Sequence, residues 1–179
     1  IHIKIISAIY YNVLHLHYFR EKSLYMLYIM SNSKLAWGRA TWYAFHILAD
    51  RIDPAFFINN RLLFINHIKS ICNNLPCPNC AHHARVFMSK VNERNIRNKN
   101  DLINMFFVFH NEVNKRVGHP QFKKENLKIY SKMNITKVLE DFMRLYSKKY
   151  GNGLYGGFYD SEWQRKQVIK NLTSWLEKT

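Results

Sequence analysis

Two cysteines stand two residues apart in Cys77-Pro78-Asn79-Cys80, directly after Pro76. That gap lets the sulfurs reach disulfide distance, so the pair can cycle between dithiol and disulfide. The proline-rich approach marks a helix start, where the helix dipole and free backbone N–H groups lower a thiol pKa and favour thiolate. The only other cysteine, Cys72, lies on an apolar stretch and reads as a core residue. Three cysteines are too few for a disulfide scaffold. Cys77, Cys80, His82 and His83 are all metal-ligand types, but tetrahedral zinc needs four donors from separated segments. No second C-x-x-C and no spaced histidine pair completes such a set, so no metal is expected; His82 and His83 read as a surface pair.

Two further clusters have the residue types of a ligand site. His110, Asn111 and Asn114 recur at three- and four-residue spacing and share one helix face. They continue a strongly apolar run, Met105 to Phe109, and lead through Lys115 to Gly118-His119-Pro120. A polar stripe prolonging an apolar one suits a ligand with many heteroatoms; a solvated helix end is the alternative. Upstream, Trp42 and His46 are one turn apart, a pair able to hold a flat aromatic ring, and Gly38 and Arg39 at the start of that helix suit a phosphate. A core tryptophan beside a satisfied core histidine is the alternative there.

The elements that must position these groups are helices. Ser33 is expected to cap the first, which contains Trp37, Trp42, Phe45 and Leu48. Asp53-Pro54 caps and opens a second through Asn73, with Phe57, Ile58, Leu62, Ile65, Ile68 and Ile71 at helical spacing. A third runs from Cys77 to Val91, and a fourth from Asp101 to Val117, with Asn100 as its cap and Gly118 and Pro120 as its stop. Residues 123–131 predict a short fifth helix and 135–150 another, capped by Asn134 and closed by Gly151. Gly151 to Gly157 form a loop, and Ser161 to Lys178 an amphipathic helix around Trp163, Val168, Leu172 and Trp175. No strand-like alternation and no repeat is visible. The expected fold is all-α. Residues 1–29 carry Lys4, Arg20, Glu21 and Lys22, too many charges for a membrane span, and lack a secretory-signal pattern. Met30 reads as the start of the folded chain and 1–32 as an extension outside it.

With 179 residues and 47% hydrophobic composition the chain is globular and fits one ordinary domain. Its 27 basic against 12 acidic residues give +15, which suits an acidic partner such as nucleic acid, an anionic membrane surface or a phosphate-bearing ligand. The charges are dispersed, however, without a Lys/Arg block, so no specific nucleic-acid role is expected. Three readings stay open on residues alone: a redox enzyme, a basic binding module, and a zinc-stabilised interaction domain.

Taken in order, the three motifs resemble the Erv/ALR sulfhydryl oxidase family. Its W-G-x-x-x-W-x-x-x-H opening reads here as Trp37-Gly38 through Trp42 to His46, its C-x-x-C as Cys77–Cys80, and its H-N-x-V-N segment as His110-Asn111-Glu112-Val113-Asn114, followed by Gly118-His119-Pro120. The resemblance covers about 35–130 and is closest in style to the compact thiol oxidases of large DNA viruses. It implies a four-helix bundle plus a short fifth helix, with residues 33–131 binding FAD and 132–179 a C-terminal helical extension. By motif match, Gly38, Arg39, Trp42, His46, His110, Asn111, Asn114, Lys115 and His119 would contact FAD. Cys80 would be the flavin-proximal sulfur and Cys77 the one exchanging with substrate. The implied activity is oxidation of protein dithiols, directly or through a separate C-x-x-C shuttle protein, with oxygen as acceptor and hydrogen peroxide as product. The resemblance also implies homodimerisation through the first two helices. The expected location is cytoplasmic, at viral assembly sites or in virions. Two departures stand out: His119 replaces the family's lysine, and no second cysteine pair is present to act as an internal shuttle.

Overall fold

A computed structural model describes residues 33–150 and 162–177. The chain divides into two compact units, 1–35 and 36–179; of the first, only 33–35 are described, and they are helical. The proposed start at Met30, the loop from Gly151 and the two ends of the helix expected over Ser161 to Lys178 lie outside the described residues. Among those described there is no strand, and no helix is long and apolar enough to cross a membrane.

Helix α1 covers 33–51. Ser33 is already helical, so it does not act as the flanking cap the sequence suggested. Helix α2, Pro54–Asn73, starts as expected: Asp53 is its cap, its carboxylate accepting from the Phe56 N–H at 2.7 Å. Phe57, Phe64, Ile65, Ile68, Ile71 and Cys72 face inward, whereas Ile58 and Leu62, at 56% and 54% exposure, do not. Helix α3 is Pro78–Lys90, with Cys77 as its cap. Helix α4 is Lys99–Val117, and its cap is Asn98, not Asn100: the Asn98 side chain accepts from the Asp101 N–H at 3.0 Å. Two candidate asparagines flank Lys99, and the earlier one wins because its extended backbone aims Oδ1 at that N–H. Gly118 ends α4 at φ 75°, in the left-handed region that favours glycine, and its N–H meets the carbonyls of Asn114 and Lys115.

The predicted fifth helix is a 3-10 segment, Lys124–Lys132. Helix α5, Ile135–Tyr146, has the expected Asn134 cap. Helix α6, Glu162–Leu176, turns Leu172 and Arg165 inward. Trp163, expected on its apolar face, is 71% exposed. One core cluster joins Phe45, Phe57, Phe64, Ile68, Met88, Phe106 and Phe109 to Phe142, Tyr146 and Leu172, so α5 and α6 share the core of α1–α4.

Two helix pairings place the site. On α1, Trp42 meets Phe109 and His110 of α4 while Phe45 meets Phe106, so residue numbers fall along α4 as they rise along α1. On α3, Phe87 stacks on Phe109 with centroids 4.3 Å apart. Arg116 lies close enough for its charge to act on His83. Both α1 and α3 therefore run antiparallel to α4, and the Cys77 end of α3 lies with the C-terminal end of α4.

Candidate active site

Cys77 and Cys80 are joined by a disulfide with a Cα separation of 5.1 Å, and both are half-buried. Cys77 Sγ also accepts the Cys80 backbone N–H at 3.2 Å, closing the first turn of α3. Cys80 occupies the helical register of buried Ala84 and of Phe87, which packs on the core; Cys77 stands outside the helix. His82 and His83 are exposed, as expected of a surface pair. Although exposed, His83 is held below its usual pKa by loss of hydration first, then by Arg116 and by His82. Cys72 is 1% exposed, and burial pushes its thiol up to about 12, which leaves it no thiolate to exchange.

Phe109 links α3 to a cluster of rings. It lies between Phe87 and Trp42, edge-on to the latter at 5.1 Å. Trp42 stacks on His110 at 4.2 Å and 8°. His110 stacks in turn on Phe122 at 4.9 Å, and His46 stacks on Tyr130 at 4.8 Å. His46 Nε2 and His110 Nδ1 share a hydrogen bond of 3.1 Å. Trp42 and His46, the pair singled out in the sequence, have centroids 6.1 Å apart at 34°, so no parallel slot separates them.

Burial, then the neighbouring His110, lowers His46 to about 3; burial lowers His110 to about 4. Both rings are neutral at physiological pH, and only one can donate in the bond between them. His46 is 2% exposed and its Nδ1 is buried with no partner. Beside it lies a cavity of about 260 Å³ lined by His46, Asp50, Ile103, Leu127, Lys128, Tyr130 and Ser131.

Asn111 does something the sequence did not show. Its Nδ2 donates to the Phe122 carbonyl at 3.0 Å and its Oδ1 accepts the Phe122 N–H at 2.7 Å. The side chain thus pins the turn after α4 and holds the Phe122 ring against His110. Asn114 is buried, and its carbonyl accepts from Gly118 and His119. Lys115 and His119 are exposed at the same end of α4. Arg39 is exposed on α1, and the space beside Gly38 is open, with nothing within 4 Å of where a Cβ would stand. Phe122 and Tyr130 are the residues that sequence reasoning missed. Phe122 follows the Gly118 stop and Tyr130 falls in the short fifth helix expected over 123–131, and neither position signals a ring contact. Among the described residues no group of histidines, cysteines and carboxylates can hold a metal.

The model of the Erv1/Alr family matches residues 39–134, which includes both the disulfide and the ring cluster. The chain belongs to this family. Among its relatives is an Invertebrate iridescent virus 3 protein named as a FAD-linked sulfhydryl oxidase, 33% identical over 51% of this chain; the match spans 63% of that relative, less than two thirds of its length. A FAD-linked sulfhydryl oxidase of African swine fever virus is 31% identical over 59% of this chain and 88% of its own length. A Fowlpox virus protein that carries the same name is 27% identical over 48% of this chain and 82% of its own. No solved structure matches the chain.

Proposed function

We propose that this Erv1/Alr family chain is a FAD-linked thiol oxidase that makes disulfides in protein dithiols. The observation that carries the reading is a half-buried C-x-x-C disulfide at a helix start, at the same end of the bundle as the end of α4. The ring cluster fits the cofactor that its relatives' names specify. It offers flat aromatic faces, and the unpartnered His46 Nδ1 is a buried polar atom of the kind a ligand heteroatom satisfies. Trp42, His46 and His110 would hold the cofactor's rings, and Asn114 would face its heteroatoms. Lys115, His119, Arg39 and the open backbone at Gly38 would hold its phosphates. Asn111 would act through Phe122.

The chain's own chemistry follows from the cysteines. A substrate thiolate attacks Cys77 Sγ, the Cys77–Cys80 bond breaks, and Cys80 leaves as a thiolate stabilised by the start of α3. The substrate's second thiolate then attacks its own sulfur in the mixed disulfide, releasing Cys77 and an oxidised substrate. Two electrons and two protons have left the substrate. A bound FAD would supply the two-electron acceptor for the reduced pair and the route from there to oxygen, with hydrogen peroxide as product. Buried Cys72 cannot relay electrons to the pair, so substrates or a separate C-x-x-C protein reach Cys77 directly.

Homodimerisation through α1 and α2 is supported by Ile58, Leu62 and Leu63, large apolar side chains left exposed on α2. Sedimentation of the chain against an Ile58→Glu, Leu62→Glu variant tests it, the variant being expected to run as a monomer. We place the protein's action in the cytoplasm of an infected cell or in virions, on the strength of its viral relatives; immunolocalisation in infected cells checks this.

The first experiment is the visible absorption spectrum of the purified chain with Cys77→Ser and Cys80→Ser variants. A flavin band in all three, with dithiol-dependent oxygen uptake lost by at least about a hundredfold in both variants, supports the reading. A colourless, folded wild-type protein overturns it.

A further inference from the structure

The segment leaving α3 forms, with α2, a groove of about 430 Å³ lined by Arg61, Leu62, Val91, Asn92, Glu93 and Arg94. We propose that this groove binds an oxyanion, a carboxylate or a phosphate, carried on a small apolar body.

The argument begins at Arg61. Its Nε is buried and has no hydrogen-bond partner. A guanidinium cannot lose its proton to relieve the mismatch, and a buried N–H without an acceptor is costly and rare. Arg94, across the groove, is exposed, and neither arginine has a carboxylate partner among the described residues. The one acid in the lining, Glu93, is already paired with Lys69. Asn92 accepts the Arg94 N–H through Oδ1, which leaves its NH2 as a donor. The lining therefore sets two arginines and an amide donor against one carboxylate that Lys69 already neutralises, and Leu62 and Val91 supply the apolar wall. The end of α3 works the other way, since its last carbonyls disfavour an anion, but Lys90 in that turn offsets them. Arginine pairs are well shaped for this work, because the planar fork matches carboxylate and phosphate alike.

The groove is separate from the redox pair. Helix α3 has 13 residues and so spans roughly 20 Å, with Cys77 at its start and the groove beyond its end.

The test reads Arg Nε–H signals in 15N-edited spectra of the full chain, at constant ionic strength, with sodium phosphate, sodium acetate or sodium chloride added. Arg61→Lys removes one Nε–H and so assigns the signal. A saturable movement of the Arg61 signal with phosphate or acetate, and none with chloride, is expected. Arg94→Gln should weaken it roughly tenfold by removing one charge-assisted contact. Stronger phosphate binding identifies a phosphate-bearing ligand; stronger acetate binding identifies an acidic side chain. Equal movement with chloride, movement on dilution alone, or indifference to Arg94→Gln overturns the proposal. Both variants keep dithiothreitol-driven oxygen uptake within about twofold, because the groove and the cysteines occupy opposite ends of α3.

Discussion

Two histidines hold the ring cluster in a state that depends on both being neutral. His46 is fully buried, and protonating it puts a charge beside His110 with no carboxylate among its ring and hydrogen-bond contacts. Its pKa is near 6.5 in the unfolded chain and about 3 in the fold, so between those values the unfolded state binds the extra proton and the folded state does not. Stability from this group is complete above about pH 6.5 and is lost as pH falls, by at most about 1.4 kcal/mol per pH unit. Denaturant unfolding at pH 7, 6, 5 and 4 should show that slope, and His46→Leu should reduce it, leaving the part that comes from His110. A wild-type curve that is flat over this window would mean that His46 gains its proton without cost.

The α4 C-terminal turn is the element on which the cluster depends. Asn111 makes both of its side-chain bonds to one residue, Phe122, and the ring of that residue lies on His110. Asn111→Ala leaves the Phe122 N–H and carbonyl to find new partners and should cost about 1–3 kcal/mol in chemical denaturation. Amide exchange in residues 118–123 should accelerate with it, and the flavin band should weaken on dialysis as Phe122 loosens. Helix positions, by contrast, were largely legible beforehand. The Asp53-Pro54 and Asn134 starts and the Gly118 stop carry local signals that tertiary context did not override. What stayed hidden was non-local: which of two asparagines caps α4, and that Asn111 serves a backbone eleven residues on. The C-x-x-C and both histidines were readable as types at spacings. Phe122 and Tyr130 were not, because their contribution comes from where a turn and a 3-10 segment deliver them.

At the scale of the molecule, α6 is held by a buried charge. Arg165 is 2% exposed and donates through Nε to the Tyr146 carbonyl at 2.8 Å and through an amino group to the Lys148 carbonyl at 3.0 Å. Tyr146 ends α5 and Lys148 lies two residues beyond it, at the terminus where the helix dipole favours a cation. Trp175 meanwhile packs on Phe56, Phe64 and His67 of α2, and Tyr146 Oη donates to the Ile71 carbonyl. The sequence placed Trp163 on the inner face of α6 and overlooked Arg165, because hydrophobic periodicity does not register a buried arginine whose acceptors are main-chain carbonyls. Arg165→Met should lower stability by about 2–4 kcal/mol, read as a shift in the denaturation midpoint. Removing residues 162–179 should do worse, leaving Phe56 and Phe64 open to solvent and the protein prone to aggregate.

The sulfur that caps α3 is also the atom to which the proposed mechanism assigns the exchange with substrate. A serine at position 77 retains an acceptor for the Cys80 N–H, whereas an alanine removes it. The two substitutions are chemically equivalent knock-outs yet mechanically different proteins. Cys77→Ala should unfold about 1 kcal/mol more easily than Cys77→Ser. Any comparison of their turnover must therefore separate a missing nucleophile from a frayed helix, and serine is the cleaner control.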